Sequence, residues 1–205
     1  MISMKRDGDD ILYPPLLDDI LIESVIVRIE RARSLRSLMI TDRLTGLFNH
    51  TALMERLDTS MENARQRNRS LSFAMIDIDR FRSVNDRYGL ATGDTVIKNL
   101  ARLLRHRLGD RALIGRYGGE EFGVILRDLA AGEAADLLDS AREAFSKVRQ
   151  SFYREDFYVS FSCGIASSGE FAETSQITQA ADQRLYAAKE AGRNKVVAEN
   201  RISPD

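Results

Sequence analysis

The 205-residue sequence has one cysteine, three prolines and no apolar run near the ~20 residues that a membrane-spanning helix needs. Its single cysteine, Cys163, cannot form an internal disulfide, which predicts a reducing compartment and a buried, unreactive thiol. The N-terminus also lacks the apolar region of a signal peptide. We therefore expect a cytoplasmic protein without a membrane partner.

The sequence also lacks an excess of charge of either sign. Its 30 basic and 31 acidic residues give a formal net charge of −1, which provides no general attraction to nucleic acid or to an anionic membrane. Apolar residues make up 43% and charged residues 30% of the chain, proportions typical of a folded globular protein. The length suits one domain with an appendage.

The N-terminal part has the pattern of a tail followed by a helix. Pro14 and Pro15 end a polar tail at residues 1–15, because proline blocks helix formation. Residues 16–41 carry apolar residues at spacings of three and four, which predicts a connector helix with one apolar face. Both a two-stranded coiled coil and packing against the chain's own domain would cover that face.

Two acidic motifs stand at the ends of apolar segments. Asp77-Ile78-Asp79 follows an apolar run and predicts a buried strand that ends in carboxylates. Glu120-Glu121 follows Gly118-Gly119 between two apolar runs, the pattern of a β-hairpin. If the strand and the hairpin are neighbours in one sheet, Asp77 and Glu120 converge on a site for Mg²⁺. A solvent-facing acidic turn is the alternative.

Asn85 and Asp94 flank a polar loop that the glycines at 89 and 93 predict between two helices. An amide and a carboxylate suit the edge of a guanine base, because the amide can pair with O6 or N7 and the carboxylate can accept from the N1 and N2 protons. An ordinary turn between helices also accounts for both residues.

Lys189 and Arg193 are candidate anion-binding residues near the C-terminus. Lys189 lies on the last turn of a helix predicted from Thr174 to Ala191, and Arg193 follows the glycine that ends it. Cations at this end of a helix also interact favourably with the helix dipole, which is the structural alternative.

The order of predicted elements is strand, helix, helix, strand, strand, helix, strand, helix, strand. This order indicates an α+β domain with a mainly antiparallel central sheet and helices outside it. One helix is predicted from Ala130 to about Phe152, and the strand after it from Phe157 to Ala166.

A series of ordered motifs over residues 42–198 resembles the GGDEF domain, the diguanylate cyclase family; residues 199–205 form a tail. The motifs are Asp42-x-Leu44-Thr45-Gly46-Leu47-x-Asn49, Asp77-Ile78-Asp79-x-Phe81, Asn85-Asp86, Gly93-Asp94, Gly118-Gly119-Glu120-Glu121-Phe122 and Tyr186-x-Ala188-Lys189-x-x-Gly192-Arg193-Asn194. The resemblance implies a palm-like, ferredoxin-like fold. It also implies a homodimer that condenses two GTP into cyclic di-GMP and two pyrophosphates, under the control of an upstream sensory or receiver domain.

The resemblance implies a role for each candidate residue. Asp77, Glu120 and the Ile78 carbonyl would hold two Mg²⁺ or Mn²⁺ ions, with Glu121 as general base or as support for the metal site. Arg116 would steady the hairpin or the developing phosphate charge. The nucleotide itself would be bound by Asn85, Asp94, Lys189, Arg193 and the backbone near Phe81 and Arg82.

The sequence departs from the family pattern at the product-inhibition motif, Arg-x-x-Asp. Its two charged positions are Gly109 and Ala112 here, so we expect no inhibitory product site. Every catalytic position is filled, which favours an active enzyme over two other classes of protein. These are a domain that senses GTP or cyclic di-GMP without turnover, and a purely structural dimerisation module.

Overall fold

The structure, a computed structural model, describes residues 22, 24–28, 40–198 and 201–202. The predicted tail at 1–15, most of the predicted connector helix at 16–41 and most of the tail at 199–205 lie outside the described residues. Residues 24–28 are helical, and the side chains of Val25, Ile26 and Val27 are exposed. The chain divides into two units, Met1–Met39 and Ile40–Asp205, and the second carries every predicted site residue.

A mixed six-stranded sheet forms the centre of the described part of the second unit. In spatial order its strands are β2 (Ala112–Gly118), β3 (Glu121–Arg127), β1 (Leu71–Ile78), β6 (Phe161–Ser167), β7 (Val196–Ala198) and β8 (Arg201–Ile202). Neighbouring strands are antiparallel except β6 and β7, which are parallel. The prediction of an α+β domain with a mainly antiparallel sheet is confirmed.

Helices cover both faces of this sheet. Within residues 40–198 they are α1 (His50–Gln66), α2 (Phe81–Tyr88), α3 (Leu90–Leu108), a 3₁₀ turn (Gly109–Arg111), α4 (Ala131–Ser146) and α5 (Thr174–Glu190). Asn49 caps α1, because its side chain accepts a hydrogen bond from the Ala52 amide at 2.9 Å. In the part of the chain that is described, no helix has the length and apolar character needed to cross a membrane.

Strand β1 lies between β3 and β6 and is buried along its whole length. Because successive side chains of a strand point to opposite faces, Phe73 and Met75 pack with α1 and α5, whereas Ala74 and Ile76 pack with α2, α3 and α4. Burial on both faces explains the nearly continuous apolar run that predicts this strand. The strand carries Asp77 to one end of the sheet.

Helix α5 packs directly on β6 at Gly164. A Cβ at this position would lie 2.1 Å from the backbone oxygen of Ala181 and 2.1 Å from the backbone nitrogen of Leu185. Only glycine permits such a close approach of helix and strand. Lys189 lies on the last turn of α5. The close packing at Gly164 therefore sets the distance between this helix, which carries the lysine, and the sheet.

The neighbouring residue, Cys163, is fully buried in β6. Burial raises the pKa of its thiol well above the usual range for cysteine, so the thiolate form is disfavoured. The prediction of a buried cysteine is confirmed, and that of an unreactive thiol stays a prediction.

The helix predicted from Ala130 to about Phe152 is too long. Helix α4 ends before β4 (Gln150–Phe152), which pairs with β5 (Glu155–Phe157) in a separate two-stranded sheet. The strand predicted from Phe157 is therefore two strands, β5 and then β6. The ring of Phe157 stacks on Tyr88 with centroids 4.1 Å apart, so the strand pair that follows α4 packs against α2.

Candidate active site

The two acidic motifs meet at one end of the sheet. In the antiparallel pairing of β1 with β3, Asp77 lies directly opposite Glu121, and the Ile78 amide donates to the Glu120 carbonyl at 3.4 Å. On the other side of β1, Asp77 lies opposite Ser162 of β6. The fold thus places the end of the predicted strand beside the predicted hairpin.

Arg116 holds the turn of this hairpin. Its Nε donates to the Gly119 carbonyl at 2.9 Å and its Nη1 to Asp42 Oδ2 at 3.2 Å. Gly119 has a φ of +29°, in the region that favours glycine, and the register shifts between Arg116 and Gly118. These contacts match a role in steadying the hairpin, one of the two roles predicted for Arg116.

Asp42 connects the hairpin to the turn before α1. Its Oδ1 accepts hydrogen bonds from the Thr45 amide at 2.9 Å and from the Thr45 hydroxyl at 2.7 Å. Burial alone raises the pKa of Asp42, but the Thr45 hydrogen bonds and the Arg116 guanidinium outweigh burial and leave the pKa lowered. Asp42 therefore stays ionised near neutral pH and keeps its ion pair with Arg116.

Lys189 pairs with Asp77. The ammonium nitrogen lies 2.9 Å from Asp77 Oδ2, and the two side chains are 29% and 10% exposed. The sequence predicts either a phosphate ligand or a contact with the helix dipole at this lysine. The structure shows a further arrangement, in which the ammonium neutralises a carboxylate that is itself a predicted metal ligand.

Negative charge is concentrated around Asp77. Burial raises the pKa of Asp77; Lys189 opposes this rise, while Glu120 and Asp79 add to it. Burial also raises the pKa of Glu121, with the Asp77 carboxylate as the next cause. The carboxylates carry more negative charge than Lys189 compensates, and a bound cation would favour their ionised forms.

The donor atoms suit Mg²⁺ or Mn²⁺. Asp77 and Glu120 offer carboxylates and Ile78 offers a carbonyl, and Mg²⁺ takes one or two carboxylates while it keeps positions for water and phosphate. In the described ranges, no group of three His, Cys, Asp or Glu side chains could hold a metal ion, so a cation here would also need the carbonyl, water or phosphate. The carboxylates around Asp77, which outnumber the single ammonium of Lys189, are what support a cation at this position.

Asn85 and Asp94 lie on α2 and α3. The polar loop predicted between Gly89 and Asp94 is wrong, because α3 begins at Leu90 and already contains Gly93 and Asp94. A Cβ on Gly93 would lie 1.9 Å from Asn85 Oδ1. Glycine therefore serves a close approach of two helices here, rather than a turn.

Asn85 carries an acceptor without a partner among the residues that the structure describes. Its Oδ1 is buried and accepts no hydrogen bond from the described residues. Leaving a buried carbonyl unpaired costs about 1–3 kcal/mol, so such an atom in a native protein calls for an explanation. Asp94, next in sequence to Gly93, is exposed. Because Oδ1 is buried against Gly93, a ligand that enters beside α2 would meet the exposed Asp94 first and would have to displace that contact to reach Oδ1.

Phe81 and Arg82 begin α2. Phe81 is buried, whereas the Arg82 side chain is 94% exposed, with its Nε 3.8 Å from Asp86 Oδ2. The first amides of a helix have no acceptor within that helix, and together with the helix dipole they suit an anion such as phosphate. The backbone amides rather than the exposed arginine head group are therefore the candidate anion ligands at this point.

Arg193 and Arg80 line the same cleft, which has a volume of about 460 Å³. Both adopt the left-handed conformation, with φ of +67° and +54°. Arg80 was not among the predicted site residues, because it occupies the unspecified position of Asp77-Ile78-Asp79-x-Phe81. The sequence alone does not predict that two arginines with left-handed backbone conformation lie at one cleft.

Asp79 is a second residue for which no role was predicted. Its carboxylate accepts hydrogen bonds from the Ser160 and Ser162 hydroxyls, both at 2.6 Å, and from the Asn194 amide at 3.0 Å. The sequence does show serines at the alternate positions 160 and 162. Nothing in it connects these serines to Asp79.

The positions of the product-inhibition motif lie before β2. Gly109 begins the 3₁₀ turn and Ala112 begins β2, so neither supplies a guanidinium or a carboxylate. The expected absence of product inhibition stays a prediction.

The sequence matches the family described as diguanylate cyclase, GGDEF domain, over residues 39–195. Diguanylate cyclase DgcP from Pseudomonas aeruginosa is 37% identical over 161 residues, which are 78% of this chain and 24% of DgcP. A probable diguanylate cyclase from Escherichia coli, DgcC, is 31% identical over 186 residues, 90% of this chain and 50% of DgcC. The chain therefore spans about a quarter to a half of the length of these relatives.

Solved structures of proteins from this family resemble the structure of this chain. The coiled coil and GGDEF domain of DgcB from Caulobacter crescentus, in complex with c-di-GMP, gives a TM-score of 0.81 at 30% identity, covering 90% of this chain and 98% of that one. The active GGEEF domain of a diguanylate cyclase from Vibrio cholerae gives 0.67 at 31% identity, covering 72% and 94%. The expected palm-like fold is confirmed, and the chain belongs to the diguanylate cyclase, or GGDEF domain, family.

Proposed function

We propose that this chain is the catalytic part of a diguanylate cyclase, which condenses two GTP into cyclic di-GMP with release of two pyrophosphates. The observation that carries this proposal is the position of Asp77, opposite Glu121 in the sheet and beside the Glu120 turn. A structural module has no need of such a costly group of carboxylates. The described activity of the GGEEF relative from Vibrio cholerae adds support.

Asp77, Glu120 and the Ile78 carbonyl are the proposed ligands of two Mg²⁺ or Mn²⁺ ions. When bound, these ions would lower the pKa of the attacking 3′-hydroxyl and neutralise charge on the α-phosphate. Asp77 is held for this purpose by its buried strand. Glu121, opposite Asp77, acts as general base or as support for the metal ligands, and its raised pKa is compatible with proton transfer.

Lys189, Arg193 and the first amides of α2 are the proposed ligands of the β- and γ-phosphates. Lys189 is anchored on α5 and can turn from the Asp77 carboxylate to a phosphate, since its ammonium would lose one anionic partner and gain another. Arg193 and the amides at Phe81 and Arg82 would stabilise the charge on the departing pyrophosphate. Arg116 keeps the hairpin turn in place.

Asn85 and Asp94 are the proposed guanine ligands. The unpaired Asn85 Oδ1 supports this assignment, because a buried polar atom without a protein partner is relieved by a ligand. The Asp94 carboxylate would accept from the N1 and N2 protons, which adenine does not present in the same way. Selection of GTP over ATP follows from this pair.

The proposed enzyme acts as a homodimer. One chain binds one GTP, and a product with two-fold symmetry requires two sites that face each other. An upstream sensory or receiver domain in a longer protein would set that orientation through the connector helix. The cytoplasmic location predicted from the sequence belongs to the same proposal.

The test is to incubate the chain with GTP and Mg²⁺ and to separate the nucleotides by ion-exchange chromatography. We expect cyclic di-GMP from the parent and none from Asp77→Asn or Glu120→Gln. Glu55→Gln, a change at an exposed glutamate of α1, serves as the matched control and should leave activity intact. The same set is repeated with a parallel coiled coil fused upstream of the whole chain, so that weak dimerisation cannot hide the activity.

Absence of product from the forced dimer, or an Asp77→Asn protein as active as its parent, would contradict the proposal. Binding of GTP without turnover in that dimer would point instead to a nucleotide-sensing domain.

A further inference from the structure

A second carboxylate, two residues beyond Asp77, is buried and used for hydrogen bonds within the chain. Asp79 is 6% exposed. Its Oδ1 accepts from the Ser162 hydroxyl at 2.6 Å, and its Oδ2 accepts from the Ser160 hydroxyl at 2.6 Å and the Asn194 amide at 3.0 Å. The carboxylate thus joins three segments, which are the β1–α2 turn, the start of β6 and the loop between α5 and β7.

The hydrogen bonds continue from Asn194 into α4. Arg142, also 6% exposed, donates through Nη1 to Asn194 Oδ1 at 2.8 Å and through Nε to Asp139 Oδ1 at 2.7 Å. A buried guanidinium persists only where its donors are paired. Asp139, Arg142, Asn194 and Asp79 therefore form one connected network from α4 to the end of β1.

The network surrounds three strained backbone positions. Arg80, Arg193 and Asn194 have φ of +54°, +67° and +50°, a conformation that is unfavourable for residues with a Cβ. Arg80 follows Asp79 in the chain, and Asn194 donates to Asp79 through its backbone amide. Such conformations persist where the surrounding structure holds them in place, and they concentrate at functional sites.

The strained positions have a common location. Arg80 and Arg193 line one cleft together with Asn194 and Asp79, and α2 begins at the residue after Arg80. The network therefore fixes the two backbone segments that carry the proposed phosphate ligands, Arg193 and the first amides of α2.

A different role for Asp79 would be that of a further metal ligand, since it is two residues from Asp77. The hydrogen bonds argue against that role. Both carboxylate oxygens already accept from donors of the chain, at 2.6, 2.6 and 3.0 Å. These three bonds use most of the carboxylate's about four lone-pair sites, and a metal ion that displaced any of the donors would leave that donor unpaired in a buried position.

We propose that Asp79, Asn194 and Arg142 are positioning residues for the triphosphate. They hold Arg193 and the first turn of α2 in the geometry that binds phosphate, so that Arg142, buried in α4, controls triphosphate affinity without touching the nucleotide. The proposal rests on the proposed function, because it takes Arg193 and the start of α2 as phosphate ligands.

Asn194→Gly and Asn194→Asp form the matched pair that tests the proposal. Glycine accepts the positive φ and keeps the backbone N–H that donates to Asp79, so it removes only the acceptor of Arg142. Aspartate keeps that acceptor and tolerates the left-handed conformation. The probes are guanosine 5′-(α,β-methylene)triphosphate, which cannot react, and GMP, which lacks the β- and γ-phosphates.

We expect Asn194→Gly to weaken binding of the triphosphate analogue about tenfold, because the Arg193 segment, no longer held by Arg142, must then be ordered on binding. Its affinity for GMP should match that of the parent, since Asn85 and Asp94 are unchanged. Asn194→Asp should bind both probes as the parent does. Calorimetry measures the analogue, an NMR titration measures GMP, and circular dichroism monitors the fold.

Mn²⁺ binding without nucleotide separates positioning from metal ligation. Measured by electron paramagnetic resonance, Asp77→Asn should lower Mn²⁺ affinity about tenfold or more, whereas Asp79→Asn should leave it nearly unchanged. An equal loss in the two variants would make Asp79 a metal ligand and overturn the proposal.

The remaining outcomes are also decisive. If the parent binds neither nucleotide probe, the proposed function fails; if the parent binds the analogue and Asn194→Gly binds it equally well, only the positioning role fails. Equal losses for the analogue and GMP would reveal a general structural defect and would also overturn the proposal.

Should Asn194→Gly not fold, Ser160→Ala removes another donor to Asp79 and must give the same selective loss.

Discussion

Lys189 and Asp77 form an ion pair in which the ammonium nitrogen lies 2.9 Å from the carboxylate Oδ2. The lysine is a proposed phosphate ligand and the aspartate is a proposed metal ligand. The two groups satisfy each other's charge, so binding of a metal ion and a triphosphate would require each of them to exchange its partner. Metal and nucleotide binding are therefore expected to be coupled through this pair.

Lys189→Gln tests that coupling. Without its ammonium, Asp77 has no cation to release, so Mn²⁺ affinity in the absence of nucleotide should rise severalfold. Affinity for the non-reactive GTP analogue should fall about tenfold or more, because a charge-assisted contact is worth ~1.5–3 kcal/mol. Electron paramagnetic resonance and calorimetry measure the two changes.

Arg193→Gln is the matched control for this prediction. Arg193 is a proposed phosphate ligand without an ion pair to Asp77, so the variant should lose analogue affinity while Mn²⁺ affinity stays at the parent value. An unchanged or weaker Mn²⁺ affinity in Lys189→Gln would show that Lys189 and the metal ion do not compete for Asp77.

Asn85→Ala should separate nucleotide selection from stability. Asn85 Oδ1 is buried without a partner among the described residues, so its removal should leave the thermal midpoint unchanged or higher. Affinity for the GTP analogue should fall about tenfold, with loss of preference over the matching ATP analogue. Circular dichroism and calorimetry check the two halves of the prediction.

Asn99→Ala is the control on α3. The Asn99 amide donates to Gln150 Oε1 at 2.6 Å, so this variant should lower the thermal midpoint and leave nucleotide affinity intact. A stability loss in Asn85→Ala as large as that in Asn99→Ala would indicate a structural role for Asn85.

Local patterns were sufficient to predict the central part of the fold. Strand β1 was recognisable because burial on both faces requires a continuous apolar run, and the hairpin because Gly118-Gly119 joins two such runs. These two elements contain Asp77, Glu120 and Glu121, and their pairing follows once both belong to one sheet. That part of the site was accessible from sequence because its residues lie on regular elements.

Features that depend on contacts between distant segments were not accessible. In the β4–β5 pair Phe157 stacks on Tyr88, and Gly93 lies inside α3, where Asn85 of α2 approaches it closely. The donors to Asp79 lie between 81 and 115 positions away from it in the sequence. A single sequence holds no local signal for contacts at such a separation.

Cyclic di-GMP should not inhibit the enzyme through the usual family site. Gly109 and Ala112 provide neither the guanidinium nor the carboxylate of that motif. Initial rates of pyrophosphate release should therefore be the same with and without added cyclic di-GMP at concentrations well above that of the enzyme. Noncompetitive inhibition, with cyclic di-GMP bound at this surface, would contradict the prediction.

Gly164→Ala should destabilise the domain severely. Its Cβ would lie 2.1 Å from backbone atoms of α5, and backbone cannot move aside as a flexible side chain can. We expect a loss of more than ~2 kcal/mol in the free energy of unfolding by urea. Gly169→Ala, where the nearest atom is Ser167 Oγ at 3.8 Å, is the control and should change stability by less than ~0.5 kcal/mol.

Glu170 should make the stability of the domain depend on pH. Hydrogen bonds from Arg184 lower the pKa of Glu170 below its ordinary value of 4.5; burial opposes this effect and the Ser167 amide supports it. Because the pKa is lower in the folded state, the ionised group contributes its full stabilisation above pH 4.5. That stabilisation is lost as the pH falls through the folded-state pKa.

Glu170→Gln should therefore lower the free energy of unfolding at neutral pH by ~1–2 kcal/mol, since the Arg184 guanidinium loses its ionised partner. Arg184 and Glu170 side chains are 17% and 23% exposed, so solvent screens this pair only in part. Below pH 4.5 the parent and the variant should converge, as urea unfolding over a pH series would show.

Glu62→Gln removes the exposed partner of Arg65 and should change stability by less than ~0.5 kcal/mol at any pH. If the difference between parent and Glu170→Gln stays constant as the pH falls, ionisation of Glu170 is not its cause.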